Sequence, residues 1–261
     1  MVGFFSANNL VNNKDKAALL YNNKRRAESI TMEVAGENLT AKAQEKLLGI
    51  QISSNMDWKS HINHLQTKMH QRLGILRRLK NKVPNPKLKI IAEAIFTSVA
   101  RYGIAVYFKP RMHTDPTCEE QTKLQVIQNK MFRLLAGKRP ADRVRVEDLS
   151  RQFGMMSMNQ MASYHVLLET FNIMNFGSSE KIRDKLTPAS VHSRCLTVPL
   201  FRKASCMSFS YYASRLWNSL PVNISAKARE QMNDKSEETQ KLMSFKREIK
   251  RWILNGGVPF K

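Results

Sequence analysis

The sequence predicts an α+β chain that is mostly α: short strands up to residue 55, a helical bundle over residues 56–177 and a C-terminal helical region over residues 178–261. Three observations predict it. The first stretch carries short apolar runs broken by Asn12-Asn13, Asn22-Asn23 and Lys24-Arg25-Arg26, which suits strands joined by tight turns. From Trp58 onward apolar residues recur every three or four positions, the period of a half-buried helix. Pro84 and Pro86, Pro110, Gly137 and Gly177 then fall at the ends of these stripes.

Taken in order, Leu19-Leu20-Tyr21 and residues 30–34 are expected to form a small antiparallel pair, with residues 47–52 as another short strand. Ile62, Leu65, Met69, Leu73, Leu76 and Leu79 make one stripe of a long amphipathic helix that Pro84 and Pro86 stop. Pro86 suits the first turn of a second, antiparallel helix, because the N–H it lacks would be unpaired there anyway. Leu88, Ile91, Ile95, Val99 and Tyr102 form its stripe, which ends before Pro110; Tyr102 reads as core and Gly103 as a site of close helix approach. Asp115 before Pro116 is the expected cap of a third helix, whose Leu124, Ile127, Met131 and Leu134 run to Gly137. Ser157 with Gln160 fits a capping box ahead of Met161, Tyr164, Leu168 and Phe171, and Phe176-Gly177 closes that helix. Residues 187–199 look extended or looped, and residues 209–217 a short helix stopped by Leu220-Pro221, with Trp217 filling a corner of the core. Residues 227–240 are polar enough for a linker or a solvated helix, and Leu242, Phe245, Ile249 and Ile253 give a last amphipathic helix beside Trp252.

Composition narrows the function. Lys and Arg number 43 against 21 Asp and Glu, a net charge of +22, which makes a polyanion the first expected partner. Three scattered cysteines, Cys118, Cys195 and Cys206, build neither a disulfide framework nor a four-thiolate zinc site, so a reduced, intracellular protein is expected. No segment has the apolar length of a membrane span, and the N-terminus lacks the pattern of a signal peptide, so no membrane partner is expected. His61 and His64 lie one turn apart without an acidic ligand in local reach and read as a surface or groove-lining pair, not a metal site. No glycine-rich phosphate loop and no nucleophile with a supporting base is present, so no catalytic residue, cofactor or metal site is assigned.

The sharpest electrostatic feature is the interval 58–92, which contains Lys59, Lys68, Arg72, Arg77, Arg78, Lys80, Lys82, Lys87 and Lys89 and not one Asp or Glu. A solvated helix face usually mixes signs. One that carries a single sign draws phosphates, releases counterions and binds nucleic acid without reading its sequence. The rival reading is a basic surface with no partner.

Several strings, in this order, resemble the C-terminal part of the reverse transcriptase of non-LTR retrotransposons of the LINE, Jockey and CR1 type. They are Phe5-Ser6-Ala7-Asn8-Asn9-Leu10 with Asn13-Lys14-Asp15-Lys16, then Lys46-Leu47-Leu48-Gly49-Ile50, Trp58-Lys59-Ser60-His61-Ile62 and Leu76-Arg77-Arg78-Leu79. Arg101-Tyr102-Gly103-Ile104, residues 124–131, Arg133-Leu134-Leu135, Trp217-Asn218-Ser219-Leu220-Pro221 and Phe245-Lys246 continue the series. The resemblance implies that residues 1–55 correspond to the end of the polymerase palm, with Leu48 and Gly49 like a primer-grip hairpin, and that residues 56–177 are thumb-like. It also implies that Lys16 corresponds to a palm lysine near the incoming nucleotide's phosphates, although Ala17 stands where Thr or Ser is usual and Asn12 where an apolar residue is usual.

Polymerase catalysis needs carboxylates that hold two Mg²⁺ ions. The family supplies them from an Asp-Asp turn and an earlier Asp, both upstream of the matched segment, and this sequence contains no Asp-Asp pair. The expectation is therefore a catalytically incomplete remnant, as from a 5′-truncated element, that does not polymerise by itself and binds RNA, DNA or a hybrid duplex, with an intact polymerase module as a further possible partner. The alternatives are a small helical protein-interaction scaffold and a translated relic without selected function.

Overall fold

The computed structural model describes residues 17–21, 30–34, 37–55, 57–116, 118–177, 179–190, 195–199, 208–228 and 235–259. The chain is mostly helical with a few short strands and divides into two compact units, residues 1–64 and 65–261. Lys16, the strings of residues 5–16, and Cys206 lie outside the described residues.

In the first unit β1 (Leu19–Leu20), β2 (Thr31–Val34) and β3 (Glu37–Lys42) form a sheet with β3 in the middle. β1 runs parallel to β3, with Leu19 opposite Ala41, and β2 runs antiparallel to it, with Thr31 opposite Thr40 and Val34 opposite Glu37. The expected antiparallel pairing of residues 19–21 with residues 30–34 is thus corrected: each segment pairs with β3. That strand escapes a sequence reading because its apolar alternation consists of Leu39 and Ala41 alone, of which Ala41 is buried. β4 (Gln44–Leu47) and β5 (Ile50–Ser53) make a separate hairpin with Leu47 opposite Ile50, so residues 47–52 are not one strand. Leu48 (φ 47°) and Gly49 (φ 84°) reverse the chain between them, the two positive φ values that a two-residue type I′ turn needs to match the twist of its strands.

Helix α1 (Lys59–Leu79) begins in the first unit and continues into the second. Ile62, Leu65, Met69, Leu73 and Leu76 of its expected stripe are all buried. The next helix departs from ideal geometry: α2 (Asn85–Ile91) widens into a π-helical stretch, Ala92–Thr97, before α3 (Ser98–Arg101). The fully buried positions are therefore Leu88, Ala92, Phe96 and Ala100, four residues apart, and not the expected Ile91, Ile95, Val99 and Tyr102. Tyr102 is 58% exposed, which corrects its assignment to the core. Gly103 (φ 66°) breaks the chain between α3 and α4 (Ile104–Tyr107).

Asp115 is not the cap of α5 (Glu119–Ala136); Cys118 occupies that position. The Asp115 carboxylate accepts the N–H of Met112 at 2.9 Å and both guanidinium nitrogens of Arg215 at 2.9 and 3.1 Å, partners that a local cap would have forgone. A short helix, α6 (Val146–Phe153), packs on α5. Helix α7 (Met158–Phe176) starts at the expected box: Gln160 N–H donates to Ser157 Oγ at 3.2 Å, and Ser157 N–H donates to Gln160 Oε1 at 3.1 Å. It is the hub of the second unit, packed by α3, α4 and α5 and by two later helices, α9 (Phe209–Asn218) and α11 (Lys235–Trp252). Between α7 and α9 lies the short α8 (Glu180–Arg183), and α10 (Val222–Lys227) follows Pro221.

Val166, Leu167 and Phe171 of α7 share one core with Trp217, Phe245, Ile249 and Ile253. Phe171 and Phe245 stack with centroids 4.5 Å apart, and Trp217, 1% exposed, lies 6.0 Å from Phe245, so Trp217 does fill the core. Among the described residues no helix is long and apolar enough to cross a membrane.

Candidate nucleic-acid interface

The candidate interface centres on α1. Burial of the Met69 stripe forces the remaining side chains outward, and the helix has no acidic residue in its first turn and Arg77 and Arg78 in its last. Two cations there complement the partial negative charge, about half a unit, at a helix C-terminus and leave a net positive end. Lys80 and Lys82 follow in the turn, then Lys87 and Lys89 on α2; all of these are exposed except Lys80 and Lys89, which are half-buried. Among the described residues none of Lys68, Arg72, Arg77, Arg78, Lys80, Lys82, Lys87 and Lys89 is ion-paired, whereas Lys42, Lys123, Arg151 and Lys227 each meet a glutamate.

The predicted cations do not share one face. Counting about 100° per residue from Met69, Lys68 and Arg72 lie on one flank of the buried stripe, Arg77 on the other, and Arg78 opposite it. Lys59, also exposed, begins the helix on the side of the first unit. Arg77, Arg78, Lys80 and Lys82 converge at the C-terminal end of α1, and that end is the densest part of the run.

The fold adds residues that the linear run omits. Lys80 Nζ lies 3.9 Å from where a β-carbon on Gly137 would stand, which brings the end of α1 to the end of α5. Gly137 (φ 65°) closes α5 in the left-handed conformation, Lys138 N–H donates to Arg133 O at 2.9 Å, and the chain enters a loop with exposed Lys138, Arg139, Arg143 and Arg145. A groove of about 560 Å³ runs between α1 and α5, lined by Gln66, His70, Lys123, Val126 and Lys130 among others; its carboxylate, Glu119, is paired with Lys123 at 3.2 Å. Because Gln66 and His70 face early α5 while Lys80 meets its end, the two helices run in the same direction. A charge count over residues 137–145 would have flagged the loop; nothing local in sequence shows that it meets α1.

Other singled-out residues have structural roles. Leu48 and Gly49 are the exposed turn of the β4–β5 hairpin. His61, expected at a surface or groove, is buried and accepts Gln51 N–H at Nδ1 (3.3 Å), while Ser60 Oγ donates to Gln51 Oε1 (2.8 Å). This corrects the earlier assignment: the residue ties helix to hairpin within the first unit. Cys118 and Cys195 are half-buried, and neither is in a disulfide. Among the described residues no group of three or more His, Cys, Asp or Glu could hold a metal, and the Asp57 carboxylate accepts the N–H of Lys59 at 3.3 Å.

No family model, no curated protein and no solved structure matches this chain.

Proposed function

We infer that this chain is a catalytically incomplete part of a non-LTR retrotransposon reverse transcriptase that retains a basic, thumb-like grip on nucleic acid. The observation that carries the reading is the cluster Arg77, Arg78, Lys80 and Lys82 with Lys87 and Lys89, none of them ion-paired among the described residues. The ordered strings supply the family, and a hairpin turned at Leu48-Gly49 ahead of an amphipathic helix is in keeping with the end of a palm followed by a thumb. With no Asp-Asp pair in the sequence, the chain contributes binding and not synthesis; Mg²⁺ chemistry belongs to an intact polymerase module.

The test is filter binding of a mixed-sequence duplex against salt. If about four to six phosphates are engaged, log K falls with log salt at a slope of roughly −3 to −5. Gln at Arg77, Arg78 and Lys82 flattens that slope by about 2 to 3 units, at 0.7 to 0.9 per phosphate, with similar effects on every sequence. Gln at Lys68 and Arg72, on the other flank, changes it less. A folded triple variant with the wild-type slope would refute the grip. The protein-scaffold reading would then lead, with exposed Tyr102 and Val106 as its first surface.

A further inference from the structure

We propose that the loop of residues 137–145 is a second limb of the phosphate-binding surface, and that Lys138, Arg139, Arg143 and Arg145 engage the same nucleic-acid backbone as the end of α1. This inference rests on the grip reading above. Three observations carry it.

The first is convergence. Lys80 Nζ beside Gly137 sets the loop's start against the end of α1. At the loop's far end α6 packs on α5, so both ends of the loop are held against that one helix. Arg77, Arg78, Lys80 and Lys82 are thereby joined by four more cations. Like charges within a Debye length, about 8 Å at physiological salt, repel one another, so gathering them disfavours the folded state until an anion arrives.

The second is the absence of internal neutralisation. The loop's own carboxylate, Asp142, accepts the Arg139 N–H at 2.6 Å and closes the turn Pro140–Asp142. Among the described residues none of the loop's four cations is ion-paired. Arg143 sits at φ 51°, a left-handed conformation that costs a non-glycine residue energy, where the turn Pro140–Asp142 ends.

The third is chemistry. Across residues 68–89 and 119–146 the sole Phe, Tyr or Trp is Phe132, which is fully buried. The surface therefore offers no Phe, Tyr or Trp ring on which a base could stack, the His70 imidazole being its one exposed aromatic ring, and its recognition is chiefly of the phosphate backbone.

The experiment uses the full chain and a mixed-sequence DNA duplex of about 20 base pairs, long enough to cross both limbs. Replacing Lys138, Arg139, Arg143 and Arg145 by Gln is expected to flatten the salt slope by about 2 to 3 units, the loss of about three phosphate contacts at 0.7 to 0.9 each, and to weaken binding about 10- to 100-fold near physiological salt. The charge-keeping variant with Arg139, Arg143 and Arg145 replaced by Lys is expected to retain the wild-type slope, so a loss caused by misfolding is recognisable. If the Gln variant, folded by circular dichroism, keeps the wild-type slope while the α1 triple variant loses it, the second limb is overturned and the grip stands. If the wild type itself shows no salt-dependent binding, both fail together.

Discussion

Replacing Asn159 by Ala should be among the most damaging single changes in the second unit. The side chain is 3% exposed at the start of α7 and joins three distant points of the chain. Its Oδ1 accepts Arg111 N–H at 2.7 Å, and its Nδ2 donates to Arg111 O and to Pro259 O, each at 3.0 Å. Each such bond contributes about 0.5 to 1.5 kcal/mol net, and truncation also strands one N–H and two carbonyls, so the expected loss is about 3 to 5 kcal/mol. At an m-value of about 2 kcal/mol per molar urea that moves the midpoint down by roughly 1.5 to 2.5 M. Asn159→Asp separates shape from hydrogen bonding. It keeps the acceptor but presents a carboxylate to two carbonyl oxygens, so it should be no more stable than Ala at neutral pH and should recover partly once protonated. Hydrogen exchange at Arg111 N–H should accelerate with either variant. A loss below about 1 kcal/mol for Asn159→Ala would show that water replaces the amide without cost, and the seam would not be what secures residues 111 and 259 to α7.

Two further outcomes follow from the same packing logic. Burial pushes the Asp115 carboxyl up, but the bidentate hydrogen bond from Arg215, the Met112 N–H and the charges of Arg215 and Lys109 outweigh it and hold its pKa below the usual value. That stability is present above the unfolded pKa of about 3.9 and is lost as pH falls through the lower, folded value; Asp115→Asn should cost about 1.5 to 3 kcal/mol at neutral pH, and its gap from wild type in denaturation midpoints should narrow below about pH 4, where a constant gap would refute the linkage. Leu48→Asn should stabilise the β4–β5 hairpin by about 0.5 to 1 kcal/mol, because Asn tolerates the left-handed φ of a type I′ turn better than Leu does. Leu48 is 80% exposed, so little burial is lost, and exchange of the β4 and β5 amides should slow about 2- to 5-fold, with unchanged or faster exchange counting against the turn assignment.

What the sequence made legible was local. The α7 start at Ser157 and Gln160, its end at Gly177 and the stripe of α1 are signals written within a few residues of where they act. Strand pairing was not legible, because the choice between residues 30–34 and β3 as the partner of β1 is settled by contacts distant in sequence. The stripe of α2 shifted because a π-helical stretch changes the spacing that periodicity assumes. Helix α6 is eight residues long, too short for Val146 and Leu149 to announce a period. The candidate site divides in the same way: the cation run of residues 59–89 is a property of composition, whereas its meeting with residues 137–145 depends on where α5 ends.

The strings behind the family resemblance differ in what they say about function, and the structure sorts them. In Trp217-Asn218-Ser219-Leu220-Pro221, Trp217 fills the core, Leu220 is buried and Pro221 leads into α10. Asn218 accepts Leu196 N–H at 2.7 Å and donates to Leu196 O at 2.8 Å. Folding accounts for this string completely, so it carries no argument for binding. Residues 124–131 are similar: Leu124, Ile127 and Met131 are core, Gln125 Oε1 accepts Met158 N–H at 2.8 Å, and Gln128 Nε2 donates to Met156 O at 3.0 Å. Leu76-Arg77-Arg78-Leu79 is different. Leu76 is fully buried, but the two arginines between the leucines are exposed and without an ion-pair partner among the described residues. Helix propensity favours Arg no more than Gln or Glu, and the helix dipole favours a cation in the last turn by only about 0.3 to 1 kcal/mol. That term is a reason for positive charge at Arg77 and Arg78 but does not extend to the exposed cations of residues 138–145, so the core packing that explains the other strings accounts for these side chains least.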